Sequence, residues 1–128
     1  MVYYIVLKLK TKWFDKWAKK QTVTDRLLLE TIENVSNQLG TNNLGSGLFK
    51  VRTPKIGKGK RGGIRTFLVY KESEKAIFVY GFSKNKKDNL DKNELKYFKK
   101  LAKDLLAIEN NEYERLISLG NFNEIEEK

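Results

Sequence analysis

Residues 47–83 read GLFKVRTPKIGKGKRGGIRTFLVYKESEKAIFVYGFS, and this stretch decides the fold. It opens with strict alternation. Phe49 and Val51 point to one side of a strand and Lys50 and Arg52 to the other, so an apolar face is buried while two cations stand side by side. Pro54 ends the pairing, and residues 55–63 form a turn rich in glycine and base. Residues 64–71 and 76–83 are β-branched and aromatic runs joined by the polar turn of residues 72–75, the pattern of a hairpin. Together the three runs make an antiparallel meander.

Working outward, residues 2–9 form another β-branched and aromatic run and are expected to be a first strand. Trp13, Phe14 and Trp17 fall at helical spacing within residues 12–20, a short helix with both tryptophans in the core. Thr24 is a suitable N-cap for a second helix, in which Leu28, Ile32, Val35 and Leu39 make one apolar stripe ending near Gly40. A loop of Thr, Asn and Gly leads to the meander. Beyond the meander, Asp91 and Glu94 have capping-box spacing. The helix they start buries Leu95, Phe98, Ala102 and Leu105, while Lys92, Lys96, Lys99, Lys100 and Lys103 line another face. A short acidic helix over residues 111–119 ends near Gly120. The order is strand, helix, helix, three strands, helix, helix. It predicts an α+β fold: a small, mostly antiparallel sheet packed against helices that cover one of its faces.

The chain has 128 residues, the size of one domain, with no internal repeat or linker. Cysteine and histidine are absent, which removes disulfides, thiolate nucleophiles, zinc knuckles and every mechanism built on imidazole. The early apolar run, residues 2–7, is far shorter than the roughly 20 residues of a membrane span, and it lacks signal-peptide features. No membrane partner and a cytoplasmic location are expected.

The formal net charge is +10, and it is unevenly spread. Residues 50–103 carry 17 bases and 5 acids, a net of +12, whereas residues 104–128 carry 2 bases and 7 acids, a net of −5. Such crowding of like charge is relieved by a polyanion, and nucleic acid is the commonest one. A solvated lysine-rich surface is the plainer alternative.

The segment Gly57-Lys-Gly59-Lys-Arg-Gly62 matches GxGxxG, but it lies between two strands, where a dinucleotide fingerprint requires a helix after it. It reads instead as a hairpin tip whose glycines let backbone approach phosphates, with Lys58, Lys60 and Arg61 supplying charge, or as an ordinary basic turn. Without histidine, RNA cleavage by 2′-hydroxyl attack must draw its base, its acid and its stabiliser of the charged phosphorane from Lys, Arg, Tyr, Glu or Asp. Crowding favours the neutral form of a lysine, and arginine stays charged to clamp a phosphate; no metal or other cofactor is needed. Lys50, Arg52 and Arg65 are the candidates, since the first two share a strand face and the third lies in the adjacent strand. Cations facing solvent are the alternative for the same three residues.

Three motifs in order, Leu48-Phe-Lys-Val-Arg-Thr, Gly57-Lys-Gly-Lys-Arg-Gly-Gly-Ile-Arg-Thr and Tyr80-Gly-Phe-Ser-Lys-Asn-Lys-Lys-Asp-Asn-Leu, resemble the RelE/ParE superfamily of bacterial type II toxins. The Gly-Lys-Gly-Lys-Arg-Gly-Gly loop resembles the HigB-like branch, and the likeness spans roughly residues 1–107. The resemblance implies a RelE-like toxin fold and a toxin that enters the ribosomal A site, cleaves mRNA as a metal-independent endoribonuclease, and is neutralised by a cognate antitoxin. It implies catalytic roles for Lys50, Arg52, Arg65 and Lys87, and RNA binding by Lys58, Lys60, Arg61 and Lys84. The tyrosine that RelE itself carries after the last motif is missing, and Asp91 stands near its place. Tyr80 is a base-stacking candidate, although its alternation with Phe78 and Phe82 suits core packing. Residues 109–128 are an acidic extension, expected to be a solvated helix or else a cover folded over the basic surface. Two other functions fit the same superfamily: a ParE-like inhibitor of DNA gyrase that cleaves nothing, and an inactive RNA-binding relative.

Overall fold

A computed structural model describes residues 7–53, 63–84 and 86–127. The elements run β1 (Leu7–Thr11), α1 (Lys12–Lys20), α2 (Asp25–Ser36), β2 (Thr41–Gly45), β3 (Leu48–Thr53), β4 (Ile64–Lys71), β5 (Lys75–Ser83), α3 (Lys92–Ala107), α4 (Asn110–Ser118) and β6 (Phe122–Glu124). The six strands form one sheet in the order β2-β3-β4-β5-β1-β6, antiparallel throughout except where β1 runs parallel to β5. This is the expected α+β class, with a mostly antiparallel sheet. Of the first strand predicted over residues 2–9, residues 2–6 lie outside the described residues.

Helices cover both faces of the sheet, where the sequence reading expected one. Leu68, Ala76 and Phe78 pack with Phe14 and Ala18 of α1 and Leu28, Ile32 and Val35 of α2. Their strand neighbours Phe67, Val69, Ile77 and Phe82 pack with Phe98, Ala102 and Leu105 of α3 and Tyr113 of α4. Successive strand residues point to opposite faces, so the two helix pairs lie on opposite sides. The reason is written in β4 and β5, which are apolar at consecutive positions and need cover on each face.

The sequence pattern predicts a loop where β2 forms. Its pairing with β3 follows from the tip, where Ser46 and Gly47 both take positive φ (59° and 85°), as a two-residue primed hairpin turn requires. The second helix stops at Ser36 rather than near Gly40, which leaves Leu39 outside it and exposed. On the α2 side, the hydroxyls of Thr31, Thr53 and Thr66 form a buried chain with 3.2 Å steps, and Thr31 also donates to Leu27 O. That chain pins α2 to the β3–β4 pair.

The acidic C-terminal segment is neither a solvated helix nor a cover over the basic meander. Tyr113, Phe122 and Ile125 are buried, and β6 extends the sheet at the edge opposite β2. Tyr113 Oη donates to Leu105 O at 2.6 Å, and burial pushes its pKa up to about 12. The segment is also tied down by charge. Lys10 lies between Asp15 (2.8 Å) and Asp25 (2.6 Å); Asn123 Nδ2 donates to Asp15 and Glu126 N donates to Asp25. Burial works against charging Lys10 and Asp15, but their mutual bonds prevail: Lys10 is held above the ordinary lysine value and Asp15 below the ordinary carboxylate one. Tyr113→Ala therefore destabilises the protein by about 3–5 kcal/mol in urea-induced unfolding, where an exposed helix would lose under about 0.5 kcal/mol.

A cationic face on strands β3 and β4

The β3–β4 register sets Arg52 directly opposite Arg65 and Lys50 opposite Phe67. Lys50 and Arg52 are two residues apart on one strand, so all three cations project from the same face. It is the face that carries Leu48 and Phe67 and, farther along the sheet, α3. β2 completes the group by pairing Asn42 with Lys50. The result is a shallow depression of about 370 Å³ lined by Gly40, Thr41, Asn42, Lys50, Arg52 and Arg65. Like charges directly opposite one another in a ladder are destabilising. No carboxylate among the described residues pairs with any of the three cations. Arg65 Nη1 is buried with no hydrogen-bond partner among the described residues. A guanidinium N–H in that state costs about 1–3 kcal/mol or more, which an anionic oxygen would recover.

Lys87 stands across the neighbouring strand. Arg65 is paired with Phe82 of β5, and Lys87 Nζ lies 5.8 Å from the rings of both Phe82 and Tyr80. Unlike the other three, Lys87 is neutralised, by an ion pair with Glu94. That bond raises the Lys87 pKa and lowers that of Glu94, so the lysine stays an ammonium and the carboxylate is a weak base. Glu94 is the residue that the sequence reading missed. The sequence pattern marks it only for the capping box, which the structure contains: Glu94 N donates to Asp91 Oδ1 (2.8 Å), and Asp91 N donates to Glu94 Oε1 (3.0 Å). Asp91, at the position near the absent tyrosine, is thus occupied as the N-cap of α3.

Lys84 is exposed just beyond β5, and its backbone N–H donates to Gly63 O at 3.2 Å. Lys58, Lys60 and Arg61 lie outside the described residues. Tyr80 stacks on Trp13 at 5.1 Å and on Phe98 at 4.8 Å, with 30° and 26° between the planes, so packing rather than base stacking engages it. A cleft of about 620 Å³ lies elsewhere, around Lys10, Asp15 and Asp25. Its charged groups already satisfy one another, which marks it as structural. Among the described residues no group of three or more Asp or Glu side chains is arranged to hold a metal ion.

Glu94→Gln tests the pairing directly, because glutamine preserves the capping box while removing the charge. The Lys87 ammonium then titrates at lower pH than in the parent protein, read from its side-chain NMR signals. An unchanged titration would mean that the ion pair does not form.

A family model described as the RelE toxin of the RelE/RelB toxin-antitoxin system matches residues 7–125. The match takes in α4 and β6, which the sequence reading had set outside the family's core. Comparison with curated proteins finds no match. No helix among the described residues is long and apolar enough to cross a membrane.

Proposed function

The chain belongs to the RelE toxin family, whose members pair with an antitoxin, and from that premise we propose that it is a ribosome-dependent endoribonuclease acting on mRNA in the A site. One observation carries this reading: among the described residues, Lys50, Arg52 and Arg65 share one sheet face with no carboxylate between them, and Arg65 Nη1 is buried without an acceptor. A scissile phosphate supplies the missing acceptor. In the reaction the 2′-oxygen attacks the adjacent phosphorus and the P–O5′ bond breaks, leaving a 2′,3′-cyclic phosphate and a 5′-hydroxyl. Arg65, with Arg52 opposite, stabilises the charge that builds on the phosphorane oxygens. Lys87 stays an ammonium paired with Glu94, and Lys50 in its amine form takes up the 2′-hydroxyl proton and, once protonated, returns a proton to the departing 5′-oxygen.

Lys84, with Lys58, Lys60 and Arg61 of the glycine-rich turn, binds flanking phosphates, which position RNA without reading its sequence. That turn, Gly57-Lys-Gly-Lys-Arg-Gly-Gly, supports a place in the HigB-like branch of the family. A cytoplasmic site of action follows from a ribosomal substrate.

Arg65→Ala loses growth arrest on expression and slows mRNA cutting on programmed ribosomes by about 10²–10³-fold, while circular dichroism and unfolding stay at parental values. Primer extension on the message, with and without ribosomes, reads the cuts. A folded, fully toxic Arg65→Ala variant overturns the role of Arg65. An intact message with the parent protein, together with DNA breakage by gyrase, would favour the ParE-like alternative.

A further inference from the structure

The sequence reading put both tryptophans in the core, and for Trp13 that is wrong: it is 49% exposed. Phe14 and Ala18 are the α1 residues that face the sheet, with Trp13 and Trp17 on the flank beside them. Trp17 lies over Gly81, whose missing side chain leaves room for the indole. Trp13 sits past the sheet's edge, because the β1–β5 ladder ends at the Lys10–Phe78 pair and α1 begins just beyond it. Its ring stacks on Tyr80 at 5.1 Å, and Tyr80 stacks on Phe98 at 4.8 Å, so an exposed indole is held in place by a rigid aromatic column. Trp13 and Trp17 are themselves near-parallel, 9° between planes at 6.1 Å.

The exposed charges that α1 carries beside the indole are of one sign. Lys16 and Lys20 follow Trp13 and Trp17 at helical spacing and are exposed. The acid of α1, Asp15, is buried and bridged by Lys10 and Lys19. Glu94, to which Tyr80 Oη donates at 3.4 Å, is neutralised by Lys87. The column also leads toward the cationic face: Tyr80 lies 6.3 Å from Phe82, and Phe82 is the cross-strand partner of Arg65. An exposed, rigid aromatic face among lysines suits a strand of nucleic acid whose bases are free to stack, and a duplex hides those faces.

We infer that Trp13 is a stacking platform for a base of single-stranded RNA, and that Lys16 and Lys20 hold its neighbouring phosphates, on a strand that continues toward the cationic face at Arg65. The inference rests on the nuclease reading for the course of the strand, and it adds a contact outside the residues assigned to cleavage. A labelled oligoadenylate, single-stranded or annealed to its complement, is titrated against the purified full chain, the readouts being anisotropy of the label and quenching of tryptophan emission. Single-stranded RNA quenches the parent protein, and Trp13→Ala binds it roughly tenfold more weakly with its salt dependence unchanged, because stacking and not charge has been removed. Trp13→Phe restores most of the affinity. Lys16→Ala lowers the slope of log affinity against log salt by about 0.7, as loss of one phosphate contact on a single strand requires. Equal binding of single strands by parent and Trp13→Ala overturns the platform, as does an equal loss on the duplex. Loss of antitoxin binding in Trp13→Ala with RNA binding intact overturns it too and makes the patch a protein-docking surface. Messenger cleavage on ribosomes is followed in parallel, so the two readings separate. Cutting without Trp13-dependent binding removes only the platform, and Trp13-dependent binding without cutting removes only the nuclease.

Discussion

β4 is apolar on both of its faces, and the rest of the structure depends on covering them. Ile64 and Leu68 look toward α1 and α2, while Phe67 and Val69 look toward α3 and α4. Each face takes a helix pair, and the C-terminal segment is drawn in to finish the second one, with Tyr113 filling it and β6 closing the sheet beside β1. Cover fails at one place. Near the start of β4 the α3 face carries Arg65 where an apolar residue would continue the core, and β3 answers with Arg52 rather than a carboxylate. The sheet is otherwise locally consistent, so this departure marks the site.

The distribution of acids sharpens the contrast. Lys10 has two carboxylates, Lys87 has Glu94, and Lys8 has Glu127. Lys75, fully buried, donates to Ile108 O at the C-terminal end of α3 at 2.6 Å and lies 5.1 Å from the Tyr113 ring. Burial depresses its pKa, partly offset by Glu74. Cations that serve the fold are therefore paired or capping. Among the described residues Lys50, Arg52 and Arg65 are left with one another, an arrangement that favours an incoming anion over the empty face.

Two kinds of aromatic contact divide the same surface. Tyr80 stacks on both Trp13 and Phe98 and serves as a spacer, linking the α1 flank to α3. Trp13 stays half exposed at the end of that column. A platform needs this combination, because an indole free to rotate would lose entropy on stacking and a fully buried one could not be reached.

Much of this was legible in the sequence. Alternation in residues 48–53 placed Lys50 and Arg52 on one face, the two hydrophobic runs after it identified the hairpin, and Asp91 with Glu94 marked the start of α3, because each signal is local and periodic. Those same runs, apolar at successive positions, also carried the sign of a sheet covered twice. What lay beyond sequence was whatever depends on partners distant along the chain. β6 is three residues long and exists because β1 offers it an edge. Glu94 meets Lys87 only once the chain has turned from β5 into α3, and Trp13 is exposed because the β1–β5 ladder ends before it reaches Tyr80. Residue type and spacing determined which side chains share a face; only the packed sheet decided which of those faces is covered and which cations are left without a counter-charge, since burial and pairing are properties of the whole chain.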